Sequence, residues 1–486
     1  MASRPATPAS FSTAPAHRPD RRCDILVVGA GAAGLLAALA ARGVLGADGR
    51  SLPLPSDAPD VVLLNNESRL GLKILVSGGG RCNLTNAQID ERDYESDAPH
   101  LVRRLLRGFP SASIQTFFES RDCPLHQEAL GKLFPRSNDA RDILRVLLQA
   151  VAHARIPLIA PAEVVDLCAV DGGMQAQLAS GAPWRARRVI LATGGKSLPK
   201  TGSRGFGLEL LERLGHGLAP ALPGLTPVRL DPTSPLAGLA GLTVPAVLSL
   251  VPVGCTPAQL AGKRFKPLAR AAGSLLVTHQ GASGPAPFDV SGPCARALAS
   301  GAVELRADFW SLSRPEGPWG PYLDLPKPPG ASLPSGDVPR PPGQAEFEQQ
   351  VEPLLVHRER GLEHALAERL PRSLLRNLLG VAGLEPARAV KQLDDPARTR
   401  LWLALTQADL RLTACEGYAK AEVTSGGIRL EELVPATLES RRCEHLFCCG
   451  EVVNVTGRLG GFNFQWAWSS GFAAGQGAAK TLAGTA

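Results

Sequence analysis

The sequence predicts a doubly wound α/β domain that holds a dinucleotide, interrupted by a β-rich insert and a small helical piece. Three observations carry this reading. A glycine-patterned strand–turn–helix opens the chain, and buried apolar runs near both ends read as parallel strands. Between them the texture changes to short strands separated by Gly/Pro turns.

The opening unit is "CDILVVGAGAAGLLAALAARG". Ile25 to Val28 form an apolar run with the look of a buried parallel strand, and Leu35 to Ala41 read as a helix. Gly29-Ala30-Gly31-Ala32-Ala33-Gly34 is the turn between them. Gly29 makes the tight turn, Gly31 lets the backbone meet a pyrophosphate, and Gly34 allows helix to pack on strand. The helix N-terminus then faces the phosphate charge. A second strand, "DVVLLNNE", follows a Gly/Pro-rich excursion around residues 46 to 59. An acid or amide at its end, Asn65 or Glu67, is the expected ribose partner; a solvated loop acid is the plain alternative for Glu67.

The glycine-rich stretch "KILVSGGGRCNLTN" comes next, then a polar helical segment over about 99 to 119 and a helix near 139 to 154. "IPLIAPAEVVDLCAV" and "MQAQLAS" alternate as a hairpin or three-stranded ribbon. "ARRVILATGGKSLP" is a further buried strand that ends on Thr193 and Gly194.

From these textures the organisation is a disordered Pro/Ala/Ser-rich tail over 1–22, a first part of the dinucleotide domain over 23–202, and a β-rich insert over 203–345 with a proline-rich loop at 313–343. A helical subdomain over 346–412 and a closing part of the first domain over 413–486 complete it. The insert carries "VPAVLSLVPV", "GSLLVTHQGASGPAPFDVS" and "GAVELRADF" as strands. The closing part ends in a glycine-rich loop and a small-residue helix from about Phe464.

Composition narrows the function class. The chain has 486 residues, 44% hydrophobic and 20% charged, enough for more than one core. Its net charge of +7 comes from scattered Arg, without a long basic run or aromatic interleaving, so nucleic acid is not the expected partner. Ten cysteines lie without a CxxC pair or a His/Cys ligand cluster, so neither a disulfide framework nor a metal site is expected. A reduced, cytoplasmic protein without a membrane span is the expectation.

The segments "SGGGRCNLTN", "LATGGKSLPKTGSRGFGLELLERLGHGL", "LLVTHQGASGP", "AEVTSGGI" and "GEVVNVTGRLGGFNFQWAWSSG" stand in an order that resembles the BaiN/YhiN-like family of NAD(P)/FAD-dependent oxidoreductases. The resemblance runs from Asp24 to the C-terminus and implies an FAD-dependent enzyme with a β-barrel-like insert. By that resemblance Gly29, Gly31, Ala32, Ala33 and Gly34 hold the FAD pyrophosphate, and Asn65 or Glu67 lies by the adenosine ribose. Val164 presents its backbone on the adenine side, and Thr193 and Gly194 meet the cofactor at the crossover. Lys73, Ser77, Gly78, Gly79 and Asn83, in the loop after the second strand, are expected to approach the cofactor, with Lys73 a counter-charge to a phosphate or substrate carboxylate or else a surface cation. Gly450, Glu451, Gly460, Gly461, Phe462 and Asn463 run beside the ribityl chain and the ring system, with a helix N-terminus near Asn463 facing the reduced flavin. Two positions depart from the family's usual acids, Asn65 at the end of the second strand and Asn454 in the closing motif.

The resemblance further implies hydride exchange between flavin N5 and a small, unsaturated or carbonyl-conjugated substrate, with NAD(P)H as reductant. An oxidase, or a flavin-containing RNA- or protein-modifying or regulatory binder, is the alternative. A second GxGxxG is absent, so a nicotinamide nucleotide would have no domain of its own. Catalytic side chains are not evident. Cys82 reads as a packed loop residue without a resolving partner, and His279 as a strand-end histidine or a proton donor. Arg81 is a counter-charge or a surface cation, and Trp466 and Trp468 are helix packing or a stacking platform.

Overall fold

A computed structural model describes residues 21–313, 338–355, 359 and 361–483. Residues 1–20 of the expected tail and 314–337 of the proline-rich loop lie outside it.

Five parallel strands form the frame. These are β1 (Arg22–Val28), β2 (Val61–Leu64), β3 (Leu158–Ile159), β6 (Trp184–Leu191) and β7 (Leu446–Cys448), with β4 (Val164–Val170) and β5 (Gly173–Leu178) in the same sheet. β1 lies between β2 and β6, with β3 outside β2. The first half of β6 pairs antiparallel with β5, and its second half pairs parallel with β7. β4 and β5 complete the three-stranded ribbon. All of β2 and the second half of β6 are buried, as a central parallel sheet covered on both faces requires.

Two helices lie together against this sheet: α1 (Ala32–Ala41) and α2 (Phe462–Ala483). α1 is apolar all round and buried from Ala33 to Ala41. It can sit so deep because α2 is built of small residues. A Cβ on Gly471 would collide with the carbonyl of Ala33, and one on Gly475 with that of Ala37.

The insert is a seven-stranded antiparallel sheet. Its end strands, Ala408–Asp409 and Leu412–Cys415, are separated in the chain by only Leu410 and Arg411, so the sheet curls back on itself in barrel fashion. The helices between Gln344 and Thr406 are threaded into this sheet between its strands Val303–Asp308 and Ala408–Asp409, and share its hydrophobic core. The insert sheet therefore finishes at Cys415, past the 412/413 division read from the sequence. Two antiparallel strands, Leu218–Gly224 and Val423–Ile428, carry the chain out of the first domain and back.

Three local readings change. The segment over 99 to 119 is two helices, Pro99–Gly108 and Ser111–Glu119, because Pro110 cannot continue the first. "GSLLVTHQGASGPAPFDVS" is not strand throughout: Pro285 sits at the first turn of a helix, Pro285–Ser300, where its missing N–H costs nothing. Helix α2 begins at Phe462 rather than Phe464. Among the described residues no helix is long and apolar enough to cross a membrane.

The helix pair sets a stability test. Gly475→Leu should destabilise the chain by at least about 1–3 kcal/mol, because backbone carbonyls cannot move aside as a side chain can. Gly380→Ala, in an exposed helix position with open space around it, should be neutral or stabilising by up to about 1 kcal/mol. Urea denaturation of both variants measures the contrast.

Candidate cofactor and substrate clefts

The cleft opens where the parallel strands end, the usual place for ligands in an open α/β sheet. The Gly29 N–H donates to the carbonyl of Leu64 at the tip of β2 (2.8 Å), and Ala192 N donates to Val28 O (2.9 Å). A Cβ on Gly34 would collide with the Gly29 carbonyl, and one on Gly29 with that of Ala192. Gly31 differs: nothing lies within 4 Å of where its Cβ would be. It faces the cleft.

About 1450 Å³ of empty space, counted out to solvent, lies along this surface. Of the positions expected from the sequence, Gly29, Gly31, Ala32, Ala33, Asn65, Lys73, Val164, Thr193, Gly194, Gly450, Glu451 and Asn463 line it. Gly34 supports the loop from below. Asn66, Arg69, Glu163, Arg204, Phe206, Glu422, Phe464 and Trp466 also line the cleft, although the sequence assigned none of them to the cofactor.

These residues fit a dinucleotide. The N-terminus of α1 has no side-chain cap and no acid in its first turn, so its orphan amides and the positive end of its dipole remain open to an anion. Thr193 Oγ1, on the lining, is buried without a hydrogen-bond partner among the described residues.

Asn65 and Glu67 separate clearly. The Asn65 carboxamide accepts from Ala30 N (3.1 Å) and donates to Glu67 O (2.7 Å), bracing the glycine turn while lining the cleft. Glu67 is not on the lining; its carboxylate pairs with Arg204 (2.8 Å). Asn454 is likewise off the lining, with its N–H donated to Ile428 O (2.8 Å).

One wall is held by an ionic cluster. Lys73 Nζ donates to Glu451 Oε2 (2.6 Å) and Ser197 Oγ (2.8 Å); Glu451 Oε1 accepts from Ser197 Oγ (2.8 Å) and Thr424 N (2.7 Å). Burial pushes the Glu451 carboxyl up, but the Lys73 charge and these hydrogen bonds outweigh it and hold the group below its ordinary value. Lys73 and Glu451 are thus partners of each other on the cleft wall. Desolvation lifts the neighbouring Glu422 carboxyl above its ordinary value, opposed by Lys73.

A second cleft, of about 840 Å³, shares Glu422, Val423, Asn463 and Phe464 with the first. Ser77, Gly78, Asn83, Gly460 and Gly461 line this second space together with Arg81, Lys132, Phe134 and Arg458. Gly79 and Phe462 line neither cleft. Phe462 is buried against Tyr94, whose hydroxyl donates to Phe462 O (2.9 Å), and under the Arg458 guanidinium. The Asn463 carboxamide is tied to the Gly457 backbone, accepting from its N–H (2.8 Å) and donating to its carbonyl (2.7 Å). This fixes the first turn of α2 where the two clefts meet.

The remaining candidates fall outside the chemistry. Cys82 is fully buried, and burial is the main cause that pushes its thiol up to about 12, so it stays protonated at neutral pH. His279 is exposed at the turn between two insert strands and lines neither cleft. Trp466 and Trp468 are buried, with indole N–H groups on Gly450 O (3.0 Å) and Leu84 O (2.8 Å); Trp468 serves packing, while Trp466 also lines the first cleft.

The family described as HI0933-like protein Rossmann domain matches residues 23–477. An Escherichia coli protein named ribosomal RNA dihydrouridine synthase is 30% identical over 457 residues, covering 94% of this chain and 98% of that one. A Clostridium scindens protein named 3-dehydro-bile acid delta(4,6)-reductase is 30% identical over 459 residues, covering 93% and 98%. Among solved structures, a flavocytochrome c3 fumarate reductase in an open conformation covers 94% of this chain and 78% of its own, with 14% identity and a TM-score of 0.41. The chain belongs to the HI0933-like Rossmann-domain family and is an FAD-dependent oxidoreductase, as its ordered motifs had implied.

Proposed function

We propose that this enzyme saturates a carbon–carbon double bond conjugated to a carbonyl, with NAD(P)H as the source of electrons. The observation that carries the reading is the second cleft. It joins the cofactor cleft through Glu422, Val423, Asn463 and Phe464, and it combines an aromatic wall with cationic groups. The names of the two relatives support the same chemistry. Dihydrouridine differs from uridine by two hydrogens across a double bond conjugated to a ring carbonyl, and a 3-dehydro delta(4,6) acid carries double bonds conjugated to its ketone.

Bound in the first cleft, reduced FAD supplies a hydride equivalent. The chain's own residues do the rest. The Gly29–Gly34 turn and the α1 N-terminus receive the pyrophosphate; Asn65, rather than the Arg204-bound Glu67, attends the adenosine ribose. The first turn of α2 directs its positive dipole end at the junction of the clefts, where it favours negative charge. Phe134 and Phe464 offer flat apolar surface to a planar substrate, and Arg81 and Arg458 bias the cleft toward electron-rich groups. One relative is named for ribosomal RNA, so a uridine within RNA belongs beside small cyclic enones among the substrates to be assayed.

Anaerobic stopped-flow mixing with NADH and NADPH tests the reading. One of the two should bleach the flavin band at a rate of about 1 s⁻¹ or faster; failure of both removes the reductase. Gly31→Glu should give folded, colourless protein, since its side chain enters open space and sets a carboxylate where a phosphate belongs. Retained stoichiometric FAD would show that the phosphate loop lies elsewhere. Cys82→Ser should keep FAD and change the flavin reduction rate by less than about threefold, because a thiol held protonated contributes no thiolate.

A further inference from the structure

We propose that Lys132 is the proton donor of the second cleft, protonating the substrate carbon as the conjugated double bond is saturated. The inference rests on the reductase reading above. It begins from strand geometry. Lys132–Pro135 is a short strand between Thr85–Asn86 and Leu125–Gln127. Alternation along it sends Leu133 into the main core and sets Lys132 and Phe134 together on the second cleft. Lys132 is the cross-strand partner of Asn86, whose carboxamide donates to Gly460 O (3.1 Å), a residue of the same lining. A lysine only 8% exposed is thereby held on the lining of the space that adjoins the flavin cleft.

The other charged groups on this lining suit the task less well. Arg81 pairs with Glu128 (2.6 Å) and stacks on the Phe134 ring, 4.2 Å from its centroid. Arg458 pairs with Asp93 (2.7 Å) and lies over Phe462. Guanidinium groups also keep their protons too tightly to act as acids near neutrality. Glu422 starts from an ordinary carboxyl value of 4.5, and Lys73 opposes its rise. Lys132 starts from 10.5 and is brought down to about 8, chiefly by burial, with Glu128 opposing and Arg81 assisting. It therefore carries a proton at neutral pH and releases it far more readily than an ordinary lysine does.

The step balances simply. Hydride and its electron pair reach one alkene carbon from the reduced cofactor, which NAD(P)H has reduced. An N–H bond of the Lys132 ammonium breaks, and its proton forms a C–H bond at the other carbon with the former π pair. The neutral amine regains a proton from water.

Lys132→Met and Lys132→Gln in the FAD-loaded full chain test the assignment. Both should fold. The lowered pKa means that the buried charge costs stability wherever it is present. That cost fades as pH rises from about 8 toward the unfolded value of 10.5, so removing the charge should leave Tm at pH 7 unchanged or higher. FAD content and the rate of flavin reduction by NAD(P)H should match wild type. With cyclohex-2-enone and a uridine-containing RNA fragment as probes, kcat on the accepted probe should fall by about 100-fold with KM little altered. The loss of wild-type kcat above a pH of about 8 should disappear in the variants.

Two readouts do not require turnover. In wild-type protein carrying ¹³C-methylated lysines, the resonance missing from Lys132→Met should titrate near 8. The planar anion p-nitrophenolate, a mimic of the enolate that accepts the proton, should bind roughly tenfold more weakly to Lys132→Met. A Lys132 resonance titrating above 10, equal p-nitrophenolate affinity in both proteins, or kcat within threefold of wild type overturns the assignment. If wild type reduces neither probe although NAD(P)H reduces its flavin, the enone reading fails. The titration and the p-nitrophenolate affinity then still decide for or against Lys132.

Discussion

Backbone lies directly on backbone between the glycine turn and its neighbours, and the rest of the structure depends on that contact. Gly29 rests on the end of β6, Gly34 rests on Gly29, and Gly471 and Gly475 of α2 rest on the carbonyls of α1. Any side chain at these points would lift α1 off the sheet or α2 off α1. Because none is present, α1 is buried among the strand ends with its first amides facing the one direction left open. The anion site is the uncovered end of a helix that is otherwise enclosed.

The same packing explains why the cleft walls need ionic fastening. Lys73 follows β2, Ser197 follows β6, Thr424 sits on the strand returning from the insert, and Glu451 follows β7. Four separate parts of the chain meet in one hydrogen-bonded cluster on the wall of the first cleft. Each polar atom there is compensated by another, and this keeps Glu451 ionised despite its burial. The cluster ties together one wall of the first cleft. The second cleft, in contrast, gathers Arg81, Lys132 and Arg458 around a short strand.

Where the sequence reading fell short, the cause was competition settled in three dimensions. The sequence leaves Asn65 and Glu67 as equal candidates for the ribose; Arg204, distant in sequence, pairs with Glu67, and of the two Asn65 lines the first cleft. Ser77, Gly78 and Asn83 were grouped with the cofactor, and they line the adjoining space. Lys132 lies outside every quoted segment, and Arg458, within the closing one, has no role legible in the sequence. Each is brought to the second cleft by pairings with strands and acids remote in sequence, Asn86 for one and Asp93 for the other.

By itself the sequence determined the features that depend on neighbouring residues. These are the strand–turn–helix with its glycines at fixed spacing, the β-rich insert between Gly/Pro turns, and the ordered motifs that place the chain in its flavoprotein family. Turn geometry and strand patterning are local demands on a few consecutive residues, so they can be read from those residues. Only the tertiary structure decided that the insert sheet closes after the helical segment, that the first turn of α2 stands where two clefts join, and that a lysine lies buried beside that junction. Those outcomes depend on which distant segments exclude water from one another, and exclusion of water is what lowers the pKa of Lys132.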